Sequence, residues 1–154
     1  GSDEKVTVAK QHGCDEVINY NKADIAATVK QLTAGKGVDV VYDSMGKDTF
    51  TASLDCLRPL GMMVSFGNAT GPVPPVDLLE LMRRGSLFLT RPTLFNYIAT
   101  RDQLDEGAAA LFEVIRSGAV KVMINQHYEL KDAVQAHIAV ESKQTTGATV
   151  LLNR

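Results

Sequence analysis

A chain of 154 residues, 45% hydrophobic and 22% charged, has apolar material for one core and an ordinary globular composition, which excludes disordered, collagen-like and coiled-coil classes. The formal charge of −2 gives no general drive toward nucleic acid or an anionic membrane surface, and no apolar run approaches the ~20 residues that span a bilayer. Cys14 and Cys56 stand far apart and His12, His127 and His137 form no compact ligand motif, so free thiols in a reducing, cytoplasmic setting and no metal site are expected.

Ser2 is placed to cap a first helix whose positive end holds Asp3 and Glu4, and Gly13 ends it after Lys10, Gln11 and His12. Residues 16–20 read as a short strand. A second helix follows at about 24–33, with Ile25, Val29 and Leu32 inward, and Gly35-Lys36-Gly37 closes it. The stretch 38–67 then organises the chain as strand, helix, strand. Val38, Val40, Val41 and Tyr42 form one buried-strand run and residues 62–66 another, with a right-handed crossover expected between them. Between the runs, Phe50, Leu54 and Leu57 recur at helical spacing, and Pro59 with Gly61 is expected to end that helix.

Residues 69–75 carry three prolines and read as loop. A short helix is expected at 76–82, with Leu78, Leu79 and Met82 on its apolar side, then a strand at 85–89 stopped near Thr90-Arg91-Pro92. A long helix covers 101–117, with Leu104, Ala108, Leu111, Phe112 and Ile115 as its buried stripe, and Gly118 ends it. The tail reads as a short strand at 120–124, a helix at 131–141 led in by Tyr128-Glu129-Leu130, and a strand at 147–152. This alternation predicts a single layered α/β domain with a mostly parallel sheet and helices on both faces.

In such a sheet, ligands collect beyond the carboxyl ends of the strands. That rule selects Asn19-Tyr20, Asp43-Ser44-Met45-Gly46, Ser65-Phe66-Gly67-Asn68 and Thr90-Arg91-Pro92 as one rim, where Gly46 and Gly67 would let backbone groups approach a planar or phosphorylated ligand. Each segment also has a plain structural account. Asp43-Ser44 turns a chain, Gly67-Asn68 makes a loop, and Tyr20 suits packing at a strand edge as well as stacking on a ribose or adenine. It is the coincidence of four strand ends that carries the site.

The segments NYNKADI, GVDVVYDSMGKDTFTASLDCLRPLGMMVSFGNATG, GSLFLTRP and LKDAVQAHIAVESKQTTGATVLL resemble the nucleotide-binding portion of the zinc-independent, NADPH-dependent quinone oxidoreductases, within the medium-chain dehydrogenase/reductase superfamily. The resemblance implies an incomplete Rossmann-type domain over 1–154, lacking the first strands and the glycine-rich turn, with the GroES-like substrate domain absent. In the sheet order usual for that fold, the missing strands lie between the one at 16–20 and the one at 38–42, so a lone copy would leave a gap in its sheet.

By the same resemblance, Lys5 and Tyr20 face the adenosine 2′-phosphate and ribose, with Ser2 nearby, and Ser44 lies on the adenine side. Phe66, Gly67 and Asn68 lie near the pyrophosphate and nicotinamide ribose. Leu89 and Thr90, with Arg91, border the nicotinamide, and Lys143 is a basic tail position approaching the cofactor. On chemistry alone, Lys5 and Lys143 also suit solvated surfaces, and Arg91 suits either the rim or a carboxylate partner. Asp3 and Glu4 as acceptors for NAD ribose hydroxyls carry little weight, since both fit the positive end of their helix.

The implied activity is hydride transfer from NADPH to a quinone or related small electrophile, by a homodimer paired through the sheet edge at 86–89. No acid, base or nucleophile is assigned: His12, Cys14 and Cys56 show no triad, and Asp43 reads as a turn residue. The alternative is a noncatalytic nucleotide-binding or oligomerisation module.

Overall fold

Capping starts the first helix as expected. The Ser2 hydroxyl accepts the Lys5 N–H at 3.3 Å, α1 runs Asp3–Gln11, and Gly13 leaves it at φ +92°. The computed structural model describes residues 2–142 and 144–153, and the chain divides into two compact units, one running to Asn96 and one from Tyr97. Each is a parallel α/β unit, so the expected α/β class holds, with the strands divided between a three-stranded and a two-stranded sheet.

In the first unit, residues 16–20 run without helix or ladder. The strand expected there is not formed: among the described residues no ladder or backbone hydrogen bond ties it to another strand. Helix α2 (Ile25–Leu32) is capped by Asp24, whose carboxylate accepts the Ala27 N–H at 2.7 Å. Ile25 and Val29 are half-buried, whereas Leu32 is exposed.

The organising unit folds as β1 (Val38–Asp43), α3 (Phe50–Asp55) and β2 (Leu57–Ser65), with β1 and β2 parallel. The helix ends sooner than Pro59 and Gly61 suggested. Those two residues lie instead in an irregularity of β2, where the register jumps from Val38↔Leu57 to Val40↔Met62. A proline without an N–H is tolerated where the ladder is already broken. Leu57, expected on the helix, opens β2 and is buried there.

Helix α4 is shifted to Leu79–Arg83, with Asp77 Oδ1 accepting the Leu79 N–H at 2.9 Å. The later start turns Leu81 toward the core and leaves Leu78, Leu79 and Met82 exposed, against expectation. Gly85 and Ser86 form the following turn, both at positive φ, so β3 is Phe88–Thr90 and pairs parallel with β2.

The core gathers Phe50, Leu54, Leu57, Met63 and Leu87. Alternation along the strands assigns the faces: Val41 and Met63 lie under α3, while Val40, Tyr42, Met62 and Phe88 point the other way. Met63 is 0% exposed and Tyr42 74%, so helix covers one face of this sheet and not both. Helix α5 (Leu94–Tyr97) follows β3.

In the second unit, α6 (Arg101–Arg116) opens with a capping box between Thr100 and Gln103. Its apolar stripe is present in sequence, yet no residue of α6 is buried. A two-stranded ribbon with two helices has too little apolar surface to cover every stripe. The strand expected at 120–124 falls later, as β4 (Ile124–Glu129), because the chain is still leaving α6, with the Val120 N–H donated to the Val114 carbonyl at 3.0 Å. A 3₁₀ turn (Leu130–Asp132) leads into α7 (Ala133–Glu141), and β5 (Ala148–Leu152) pairs parallel with β4. Among the described residues, no helix is long and apolar enough to cross a membrane.

Candidate functional site

Because β1, β2 and β3 are parallel and in register, their carboxyl ends emerge on one edge: Asp43 stands opposite Ser65, and Val64 opposite Thr90. The next residues of each strand, Ser44, Phe66 and Arg91, therefore begin three adjacent loops. Three of the four segments that the strand-end rule selects stand on this edge, while Asn19-Tyr20 follows no strand and is not part of it.

Asp43 fixes the first loop. Its carboxylate is buried and accepts the Met45 N–H at 2.7 Å, the Gly46 N–H at 3.0 Å and the Thr49 and Ser53 hydroxyls at 2.7 Å each. Burial pushes this carboxyl up, but the Gly46 N–H, the Thr49 and Ser53 hydroxyls and the Met45 N–H together outweigh it and hold it below its ordinary value. Asp43 is thus the turn residue the sequence suggested, tying the end of β1 to the start of α3.

The second loop is knitted onto the first. The Phe66 N–H donates to the Asp43 carbonyl at 2.9 Å, Ala69 N–H to Ser44 at 3.2 Å, and Thr70 N–H to Met45 at 2.8 Å. The two glycines owe their identity to this contact. A Cβ on Gly67 would lie 2.1 Å from the Ser44 carbonyl oxygen, and one on Gly46, at φ +88°, would lie 2.6 Å from the Gly71 carbonyl oxygen. Their smallness lets the loops approach each other, a role beside the expected one of letting a ligand approach.

Groups free to meet a ligand are the side chains around this scaffold. Ser44 and Asn68 are exposed, the Phe66 ring is 51% exposed, and Thr90 is half-buried at the end of β3 beside partly exposed Leu89. Arg91, open between two roles in the sequence, bonds carbonyls: its Nη1 donates to Ser65 at 2.8 Å and Gly67 at 3.1 Å.

A second group forms at the start of α1. Asp3 accepts Asn19 Nδ2 at 2.9 Å and pairs with Lys22 Nζ at 2.5 Å, drawing the residues before Tyr20 to the helix that carries Ser2 and Lys5. Hydrogen bonding from Lys22, then from Asn19, lowers the Asp3 carboxyl. Lys5 is half-buried and Tyr20 exposed. Asp3 is thus already engaged within the protein. Lys143 lies outside the described residues. Among the described residues, no group of three or more His, Cys, Asp or Glu is placed to hold a metal.

Hydroxyl, amide, aromatic and cationic groups around a strand-end rim suit a flat, polar, anionic ligand, and comparison with known proteins gives that ligand a context. The family model described as zinc-binding dehydrogenase matches residues 12–151. The chain belongs to the zinc-binding dehydrogenase family. It is 51% identical to a quinone oxidoreductase of Salmonella typhimurium over 99% of this chain and 47% of that protein. It is 45% identical to a 2-haloacrylate reductase of a Burkholderia species over 98% of this chain and 46% of that protein. The crystal structure of Escherichia coli quinone oxidoreductase complexed with NADPH superposes with a TM-score of 0.95 at 46% identity, covering 99% of this chain and 48% of that one. The resemblance to the quinone oxidoreductases and to their Rossmann-type domain therefore holds, and the chain spans about half the length of the curated relatives it matches.

Sequence reasoning found the rim but passed over its braces. The donors to Asp43 lie within ten residues and follow the D-S-M-G turn, a signal that was legible. The carbonyl partners of Arg91 lie 24 and 26 residues away and leave no local signature.

Proposed function

We propose that this chain is the nucleotide-binding portion of a reductase that transfers hydride from NADPH to a quinone or related small electrophile. The observation that carries this reading is the alignment of three parallel strand ends in one braced rim, with Ser44, Phe66, Asn68 and Thr90 at its surface. Relatives named quinone oxidoreductase and 2-haloacrylate reductase support it, as does the likeness to a structure complexed with NADPH.

In this reading, Lys5 offers its ammonium to the adenosine 2′-phosphate, with Ser2 and Tyr20 beside it, and Ser44 borders the adenine. Phe66, Gly67 and Asn68 hold the pyrophosphate and nicotinamide ribose, and Leu89 and Thr90 flank the nicotinamide. NADPH, when bound, supplies the hydride. The chain's own residues bind and orient it and bring no acid, base or nucleophile to the reacting atoms. In this reading, a glycine-rich turn and a GroES-like wall of the electrophile pocket are supplied from outside these 154 residues.

We assign the enzyme to the cytoplasm. A homodimer forms through β3, the edge strand of its sheet, where Phe88 is 56% exposed. Calorimetric titration of the 154-residue chain with NADPH and NADH, with its mass followed by light scattering in the same buffer, tests the nucleotide binding and the dimer. Selective NADPH binding by a dimer is expected. A folded chain that binds neither nucleotide sinks the binding reading for this chain and leaves a noncatalytic oligomerisation module, and a monomer sinks the dimer.

A further inference from the structure

The pairing of β2 with β3 stops abruptly, and the sequence explains why. The last ladder pair is Val64↔Thr90. Along β2, the backbone of Phe66 faces β1, as its N–H shows by donating to the Asp43 carbonyl at 2.9 Å. Alternation then points the Ser65 carbonyl toward β3. The backbone group on β3 that would next donate to it belongs to position 92, and Pro92 has no N–H. Ser65 would lose its partner at the point where the loop begins.

Arg91 fills that position from its side chain. Nη1 donates to the Ser65 carbonyl at 2.8 Å and reaches one step further, to the Gly67 carbonyl at 3.1 Å. These are charge-assisted bonds to neutral acceptors, stronger than the amide bond they replace. They also bracket Phe66. The residue whose ring is exposed at the rim is thus held by the Asp43 carbonyl on one side and by the two guanidinium-bound carbonyls on the other.

We infer that Arg91 is a positioning residue: its guanidinium supplies the ladder donor that Pro92 lacks and fixes the loop 66–71 as one wall of the nucleotide site. The inference rests on the nucleotide-binding reading above, but the clamp itself is observable without any nucleotide. Both bonds leave the single nitrogen Nη1, so a lysine ammonium that reaches the same point restores part of the clamp, without the preorganised plane of the guanidinium.

The test is amide hydrogen exchange on the full 154-residue chain and its R91K and R91M variants, paired with calorimetric titration of NADPH. In R91M, exchange at the Ala69, Thr70 and Gly71 amides is expected to rise at least about tenfold while that of Met63 in β2 is unchanged, since only the loop loses its anchor. NADPH binding is expected to weaken about tenfold in R91M and by a smaller factor in R91K. Unchanged loop exchange, or a uniform rise across the sheet, overturns the clamp. Freed loop amides with wild-type NADPH affinity overturn the positioning role and leave a purely structural arginine. If the wild-type chain binds no NADPH, the functional reading fails separately, and selective release of the loop amides alone decides for or against the clamp. Should R91M fail to fold, R91K carries the same comparison.

Discussion

The two ends of the candidate site are built in opposite ways. At the strand ends, Asp43 is buried under four hydrogen-bond donors, Gly67 is pressed onto the Ser44 backbone, and Arg91 spans two carbonyls. At the start of α1, Asp3, Asn19 and Lys22 meet in the open, with the Lys22 and Asp3 side chains 64% and 70% exposed. The first end is a scaffold whose parts cannot move singly. The second is a solvated charge cluster, adjustable at small cost. In the proposed function, the scaffold holds the pyrophosphate and nicotinamide end, and the cluster chooses the phosphate at the adenosine end.

The largest effect is expected from Asp43→Ala. It removes a buried acceptor and strands the Thr49 and Ser53 hydroxyls and two backbone donors, which costs about 3 kcal/mol or more of stability in urea denaturation. The same carboxylate gives a pH signature. Its value in the folded chain lies below the ordinary one, so the unfolded chain binds its proton first as pH falls. Its contribution is full above about pH 4 to 5, where even the unfolded group is ionised, and is lost as pH falls through the folded value. Asp43→Asn should flatten the acid limb of the stability curve. An unaltered acid limb would show that another group controls it.

Gly67→Ala comes next. The added Cβ would stand 2.1 Å from the Ser44 carbonyl oxygen, so backbone must shift, at a cost of about 2 to 3 kcal/mol. Because it separates the loops rather than the core, it should also weaken NADPH binding, read in the same titration. A stable Gly67→Ala chain with unaltered affinity would mean that the loop contact is dispensable.

This contrast also marks what was legible in the sequence. The apolar runs 38–42 and 62–66 place the strand ends within one residue of the observed Asp43 and Ser65, and the rim follows from them. The apolar stripe of α6 was visible as a pattern, but burial depends on what stands opposite, which no local period contains. Pro59 was seen as a breaker, correctly, but of a ladder rather than a helix. Gly67 stands out in the sequence, but a ligand and a second loop ask the same smallness of a glycine, so its contact with Ser44 has no separate signal. Arg91 acts on carbonyls set by sheet topology, and only the folded register places them within its reach.

At the adenosine end, smaller effects are expected, and they fall on selectivity before stability. Lys5→Gln should lower the preference for NADPH over NADH about tenfold with little change in NADH affinity, since only the 2′-phosphate loses a charge partner. Equal loss for both nucleotides would place Lys5 away from that phosphate. Lys22→Ala should do least. An exposed ion pair is screened and trades protein contacts for water, so the denaturation midpoint at physiological salt should not move measurably. Its value lies in what it releases: with Lys22 gone, Asp3 regains a free oxygen at the start of α1 and becomes available as an acceptor for ribose hydroxyls. A shift of the Lys22→Ala chain toward NADH would show that the Asp3–Lys22 pair, rather than Lys5 alone, keeps this end suited to a phosphate.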